Sequence, residues 1–345
     1  MPVLVREGPP EENPWGVSFL RMFDMANDSG LFRTREQLER DGWTLEGNVF
    51  RKGSDRHLPL YEAKMIHHFD HRFGDYADYP PGTETTTLPD VPLERLRDLG
   101  YVVQPRYWVP AKEVDDRLAD KWDRAWLLGW RDICRATDQR TVIASVIPRA
   151  AVGDKFLLML PSAEPRLVAC LLGNLTSFVF DYVGRQKVGG TSLKYFTMKQ
   201  LAALSPATYT VPTPWCPLVS VSEWLRSRVI ELAYTAWDLA AFARDCGYDS
   251  APVRWDPERR FLLRCEVDAA FFHLYGLTRE EAAYILDTFP IVCRTDAQRY
   301  GEYRTKRVIL DIYDAMQSAI ETGQPYKTLL DPTPGDPRFA GPGST

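Results

Sequence analysis

The sequence predicts an α+β protein, a mixed α/β unit followed by an all-helical one, and three observations carry that expectation. At 345 residues, 45% of them hydrophobic and 12% aromatic, the chain is longer than one core usually grows, so more than one packed unit is expected. Between 126 and 161 short β-branched and apolar runs alternate with turn residues, "AWLLGWRDICRAT" and then "RTVIASVIPRAAVGDKFLLMLP", which predicts at least three strands. Past the Pro-rich "SPATYTVPTPWCP" (205–217) the text changes to long amphipathic segments with caps and glycine stops. The expected partition is a helical lead-in (1–52), an α/β unit (53–212), a helical unit (213–326) and a disordered Pro-rich tail (327–345).

In chain order, "WGVSFLRMFDMANDS" spaces Phe19, Leu20, Met22 and Phe23 as a short helix, stopped by Asn27 to Gly30, and "LFRTREQLERDG" predicts a second. "HLPLYEAKMIHHF" reads as a strand leading into a turn, 76–92 as a Pro/Thr/Asp loop, and "AKEVDDRLADKW" as a short charged helix. After the strands, "SAEPRLVACLLGNLTSFVFDYVGRQ" predicts one buried helix, with Ser162 as N-cap and Pro165 where a first turn tolerates it. Four helices follow. "SVSEWLRSRVIELAYTAWDLAAFARDCG" is capped at Ser220 or Ser222, and "DPERRFLLRCEVDAAFFHLYG" by Asp256. "TREEAAYILDTF" has Thr278 and Glu281 in capping-box spacing, and "GEYRTKRVILDIYDAMQSAIETG" ends on glycine.

A formal net charge of -5 excludes a protein that coats nucleic acid through overall basicity, since that binding comes from phosphate neutralisation. A local basic edge stays allowed. Six scattered cysteines with no CxxC pair read as reduced thiols, and no signal peptide or spanning apolar run is seen, so a cytoplasmic protein is expected.

Two motifs fall short of chemistry. "NPWG" (13–16) lacks the second proline of the loop that holds an adenine amine in amino-methyltransferases, and no Gly-rich strand-turn-helix for S-adenosylmethionine accompanies it. In "HHFDH" (67–71) an extended backbone would place His67 and His71 about 13 Å apart, too far to share an ion, and a helix would supply no third ligand by spacing. No catalytic residue and no metal ligand is therefore assigned.

"RQKVGGTSLKYFTMKQL" (185–201) is more informative, because it gathers Arg185, Lys187, Lys194 and Lys199 around Gly189-Gly190 with no acid among them. The glycines would let a backbone approach closely, Arg185 and Lys187 suit phosphates, and Arg185, Gln186 and Thr191 are types that read base edges. The same stretch is equally a solvated turn with surface lysines. Arg140 and Arg149 stand at the two ends of a predicted strand in the same unit.

The ordered set "PLYEAKMIHHFDHRFGDY" (59–76), "WRDICRATDQRTVIASVIPR" (130–149), "LLGNLTSFVFDYVGRQKVGGTSLKYFTMKQL" (171–201), "CEVDAAFFHLYGLTREEAAYILDTFPIV" (265–292) and "GEYRTKRVILDIYDAM" (301–316) resembles the C-terminal half of large bacterial N6-adenine DNA methyltransferases of restriction-modification and phage-defence systems. The resemblance implies that the α/β unit is a target recognition domain on double-stranded DNA. Its implied contact set is Arg140, Arg149, Arg185, Gln186, Lys187, Gly189, Gly190, Thr191, Ser192 and Lys194. In that family the cofactor loop and the catalytic Asn-Pro-Pro-aromatic loop lie upstream of the matched region. S-adenosylmethionine and methyl transfer are thus expected on a partner chain, with a nuclease or helicase subunit as a further partner. The alternative is a helical interaction subunit that docks such a nuclease or helicase without reading DNA.

Overall fold

The computed structural model describes residues 3–80 and 85–341. Its first element is a strand, β1 (Val17–Leu20), where a helix was expected. Gly16 at φ +56 turns the chain after the buried Trp15, and a Cβ there would lie 1.9 Å from Ser162 Oγ. Val17 to Leu20 then pair with Pro161 to Leu158, so cross-strand pairing decides a short apolar run whose spacing fits either element. A short helix α1 (Arg35–Arg40) follows with a capping box between Thr34 and Gln37. Next come β2 (Thr44–Glu46), β3 (Val49–Lys52) and β4 (Asp55–Tyr61), so the lead-in is largely strand and turn, not helical.

Helix α2 (Leu93–Arg97), strand β5 (Trp108–Pro110) and helix α3 (Ala111–Leu118) precede β6 (Trp126–Arg131), β7 (Ala144–Pro148), β8 (Ala151–Val152) and β9 (Phe156–Pro161). Part of the expected 76–92 loop, residues 81–84, lies outside the described residues. An antiparallel sheet in the order β1-β9-β6-β7 is joined to a second sheet, β2-β3-β4-β5, through β8, which pairs parallel with β4. Gly129 lets β6 and β9 close, for a Cβ there would meet Leu157 O at 2.5 Å.

The expected single buried helix is two, α4 (Pro165–Thr176) and α5 (Phe178–Lys187), bent by 60°. Ser177 makes the break by accepting the Phe180 N–H at 3.3 Å, which restarts the helix as an N-cap does. Ser162 is not the cap; its N–H bonds Gly16 O, and Glu164 precedes the first turn. Among the described residues no single helix is long and apolar enough to cross a membrane; the bent pair has the length but is largely buried.

Helix α6 (Tyr195–Lys199) and the hairpin β10 (Pro212–Thr213) and β11 (Cys216–Ser220) lead to the helical part. There the first expected helix divides into α7 (Val221–Ala233), capped by a Ser220–Glu223 box, and α8 (Ala240–Asp245). The break frees Thr235 O for Arg72 and Tyr234 O for Val253. Helices α9 (Pro257–Leu274), α10 (Arg279–Asp287), α11 (Pro290–Tyr300) and α12 (Arg304–Thr322) complete it, α11 being unforeseen. The fold is thus α+β with a helical C-terminal region. One cluster of buried side chains runs from Leu4 to Leu330 and includes residues on both sides of 212–213.

The tail, expected to be disordered, makes hydrogen bonds to the helical part at several points of its described length, and residues 342–345 of it lie outside the described residues. Tyr326 and Thr328 hydroxyls donate to Glu266, Pro332 O accepts from Arg259 and the Gly335 N–H reaches Glu231. Glu231 and Glu266 are buried with Arg259 and Arg228, so the tail supplies hydrogen bonds those carboxylates would otherwise lack.

Candidate functional site

Two loops meet at one end of the β1-β9-β6-β7 sheet: 132–141, within the β6–β7 connection, and 188–194, between α5 and α6. Backbone bonds pin them together, Cys134 N to Thr191 O at 3.1 Å and Leu193 N to Asp132 O at 2.7 Å, with a bridge between Ile133 and Ser192. Trp130, fully buried, adds its indole N–H to Leu193 O. The result is a ridge built on rigid elements.

Most cations of the basic stretch face inward. Arg185 is 7% exposed; its guanidinium donates to Gln139 O at 2.9 Å, to Asp138 O and at 3.4 Å to Thr288 O, and lies 4.0 Å from the centre of the Phe289 ring. It also reaches Asp181, whose fully buried carboxylate takes Arg140 at 2.6 Å and the Thr141 N–H. Burial pushes the Arg185 pKa down, Asp181 opposes this, and Arg140 adds to it. Arg140 further binds Thr176 O and covers Phe178. Lys194 pairs with the buried Asp132 at 2.5 Å, and Lys199 with Glu7.

Arg149 stands at the other end of β7, where it ties Asp115 to the Trp122 carbonyl. The sequence set is therefore not one constellation: Arg140 and Arg185 form a clamp under the ridge and Arg149 belongs to another face. Gln186, Lys187, Gly189, Gly190 and Thr191 are exposed on the ridge, with Ser192 half-buried. Lys187 has no hydrogen-bond or acid partner for its side chain among the described residues. Gly189 and Gly190 avoid the left-handed region and have open space where a Cβ would go, so the hinge requires glycine neither for its dihedrals nor for internal packing.

Loop 132–141 adds residues that sequence reasoning passed over as a mere turn between strands. Arg135 is exposed without a side-chain partner among the described residues, Gln139 is exposed, and Ile133 is 52% exposed. The only signal was compositional, an arginine and a polar turn in "CRATDQR". Beside Ile133 opens a pocket of about 390 Å³ walled by Met25, Ala63 and Gly153, with Lys64, Arg131 and Lys155 among its lining.

The "HHFDH" segment is structural. His68 Nε2 bonds Val142 O at 2.7 Å, His71 Nε2 meets both Asp238 oxygens at 2.9 and 3.0 Å, and the His67 ring packs tilted against Phe73. Burial, with Arg131 adding to it, pushes His67 down to about 3, so it is neutral near pH 7. Among the described residues no group of three His, Cys, Asp or Glu is placed to hold a metal ion. Comparison of this chain with protein-family models, curated proteins and solved structures finds no match.

Proposed function

We propose that the chain is the DNA-recognition part of a site-specific N6-adenine DNA methyltransferase of a restriction-modification or phage-defence system. In this reading S-adenosylmethionine and methyl transfer belong to a catalytic domain outside these residues. The ordered motifs of the sequence support the family. The observation that carries the DNA reading is the ridge: an acidic chain presents Arg135 and Lys187 unpaired among the described residues, with Gln139, Gln186 and Thr191 exposed beside them, on the β6–β7 loop, the end of α5 and the loop after it, held by the Arg185 clamp.

The chemistry follows from residue type. Arg135 and Lys187 meet phosphates and set register, while Gln186, Gln139 and Thr191 offer the donors and acceptors that distinguish base edges. Ile133 supplies an apolar contact for a thymine methyl group. Arg140 and Arg185 hold the ridge in shape, and rigid support of this kind sharpens discrimination.

Selection from a pool of randomised duplexes, using the chain together with its catalytic partner, tests the reading. Enrichment of one short motif that is lost on Gln186→Ala supports it. Recovery of an unenriched pool, at low salt and with the partner present, removes it.

A further inference from the structure

Phe196 is 66% exposed, more than any other aromatic side chain among the described residues, and no other ring packs on it among them. It sits on α6, whose neighbouring positions are fixed. Tyr195 packs against Phe19 and Trp130, with ring centres 5.2 and 5.5 Å apart, and Thr197 and Met198 are buried. The carbonyls of Lys199 and Leu201 accept the N–H groups of Val5 and Leu4. A rigid seat therefore holds out into solvent a ring whose burial would be favourable.

That seat continues the ridge. Lys194, the residue before α6, pairs with the buried Asp132, Leu193 N bonds Asp132 O at 2.7 Å, and Ser192 bridges Ile133. Ile133, 52% exposed, is the other large apolar side chain that this ridge leaves in solvent. Asp132 is engaged by Lys194, and Glu7 by Lys199, one turn on from Phe196. The ridge thus adds exposed apolar groups to the cations Arg135 and Lys187. Cations presented by an acidic chain suit a polyanion, and this selects a nucleic acid over an apolar protein surface as the occupant.

We infer that Phe196 is a wedge that enters a bound duplex between two adjacent base pairs, unstacking that step and bending the DNA. The inference rests on the DNA-recognition reading and adds a deformation to it. A flat apolar ring is matched by the stacked faces of bases, and apolar side chains inserted in this way kink a duplex by about 20–90°. Arg135 and Lys187 then hold phosphates beside the opened step. Pyrimidine–purine steps unstack most readily, so the wedge favours a TA or CA step in or next to the recognised motif.

The test uses the full chain with its proposed catalytic partner and a duplex selected from the randomised pool. Energy transfer between dyes at the duplex ends measures the bend, and 2-aminopurine placed at successive positions reports unstacking. Wild type should bend the duplex by at least about 20° and brighten 2-aminopurine at one step. Phe196→Ala should lose both signals, and Phe196→Leu, which keeps an apolar wedge, should retain part of the bend. Tyr284→Ala, which removes a 63% exposed aromatic on α10, should match wild type. Thermal denaturation checks folding, and Phe196→Gln gives a second loss of the wedge should the alanine variant not fold. Binding without a bend, or an equal bend in wild type and in the folded variants lacking the ring, overturns the wedge and leaves recognition standing. Failure of wild type to bind any duplex at low salt removes both.

Discussion

Arg185→Ala separates a clamp from a DNA contact. The side chain is 7% exposed, and its two well-formed bonds go to the carbonyls of Asp138 and Gln139, while those to Asp181 and Thr288 are long at 3.4 Å. Hydrogen bonds from a charged group are worth about 1.5–3 kcal/mol each, and the stacking on Phe289 adds to them. Asp181 keeps Arg140 at 2.6 Å, so the larger cost of stranding a buried carboxylate does not arise. A loss of about 3 kcal/mol follows, read as a lower urea midpoint by tryptophan fluorescence. Lys187→Ala, two residues on and exposed, should stay within about 0.5 kcal/mol of wild type. If Arg185→Ala were as stable as Lys187→Ala and instead lowered the salt slope of DNA binding, the clamp argument would be wrong.

Gly190→Ala should likewise stay within about 0.5 kcal/mol, having open space and no left-handed φ. Gly129→Ala, whose Cβ would meet Leu157 O at 2.5 Å and the Phe156 ring at 2.8 Å, should cost at least about 1–3 kcal/mol in the same titration. Deletion of 327–345 should lower the melting temperature by several degrees, because Glu231 and Glu266 lose tail donors; an unchanged melting curve would refute the packed tail. Asp268, pushed from 3.8 up to about 6 by burial, makes a stability contribution that is full below pH 3.8 and lost as pH rises through about 6. Asp268→Asn keeps an acceptor for the Phe178 N–H and should gain on wild type between about pH 4 and about pH 7; parallel stability curves would contradict the raised value.

The helical part was legible where capping chemistry is local: Ser220, Asp256 and Thr278 cap in the structure as their spacing suggests. What escaped depends on partners distant in sequence. β1 is a strand because β9 lies beside it, the α4–α5 bend is set by Ser177 within a continuous apolar run, and the Pro-rich tail is held by carboxylates of α7 and α9. The basic stretch shows the same limit. A local count finds Arg185, Lys194 and Lys199 without acids, yet Asp181 is four residues upstream, and Asp132 and Glu7 arrive only through the fold. Arg135 was passed over for the converse reason, since nothing local says that its side chain is left without an acid.

The salt dependence of duplex binding by the Arg135→Ala/Lys187→Ala double variant, measured with the proposed catalytic partner present, tests the proposed DNA-facing ridge most directly. Both residues are exposed and unpaired among the described residues, so the fold should be unaffected and only phosphate contacts should go. The account predicts that the slope of log affinity against log salt falls by about two, equally for target and non-target duplexes. An unchanged slope and affinity in the folded double variant would contradict it.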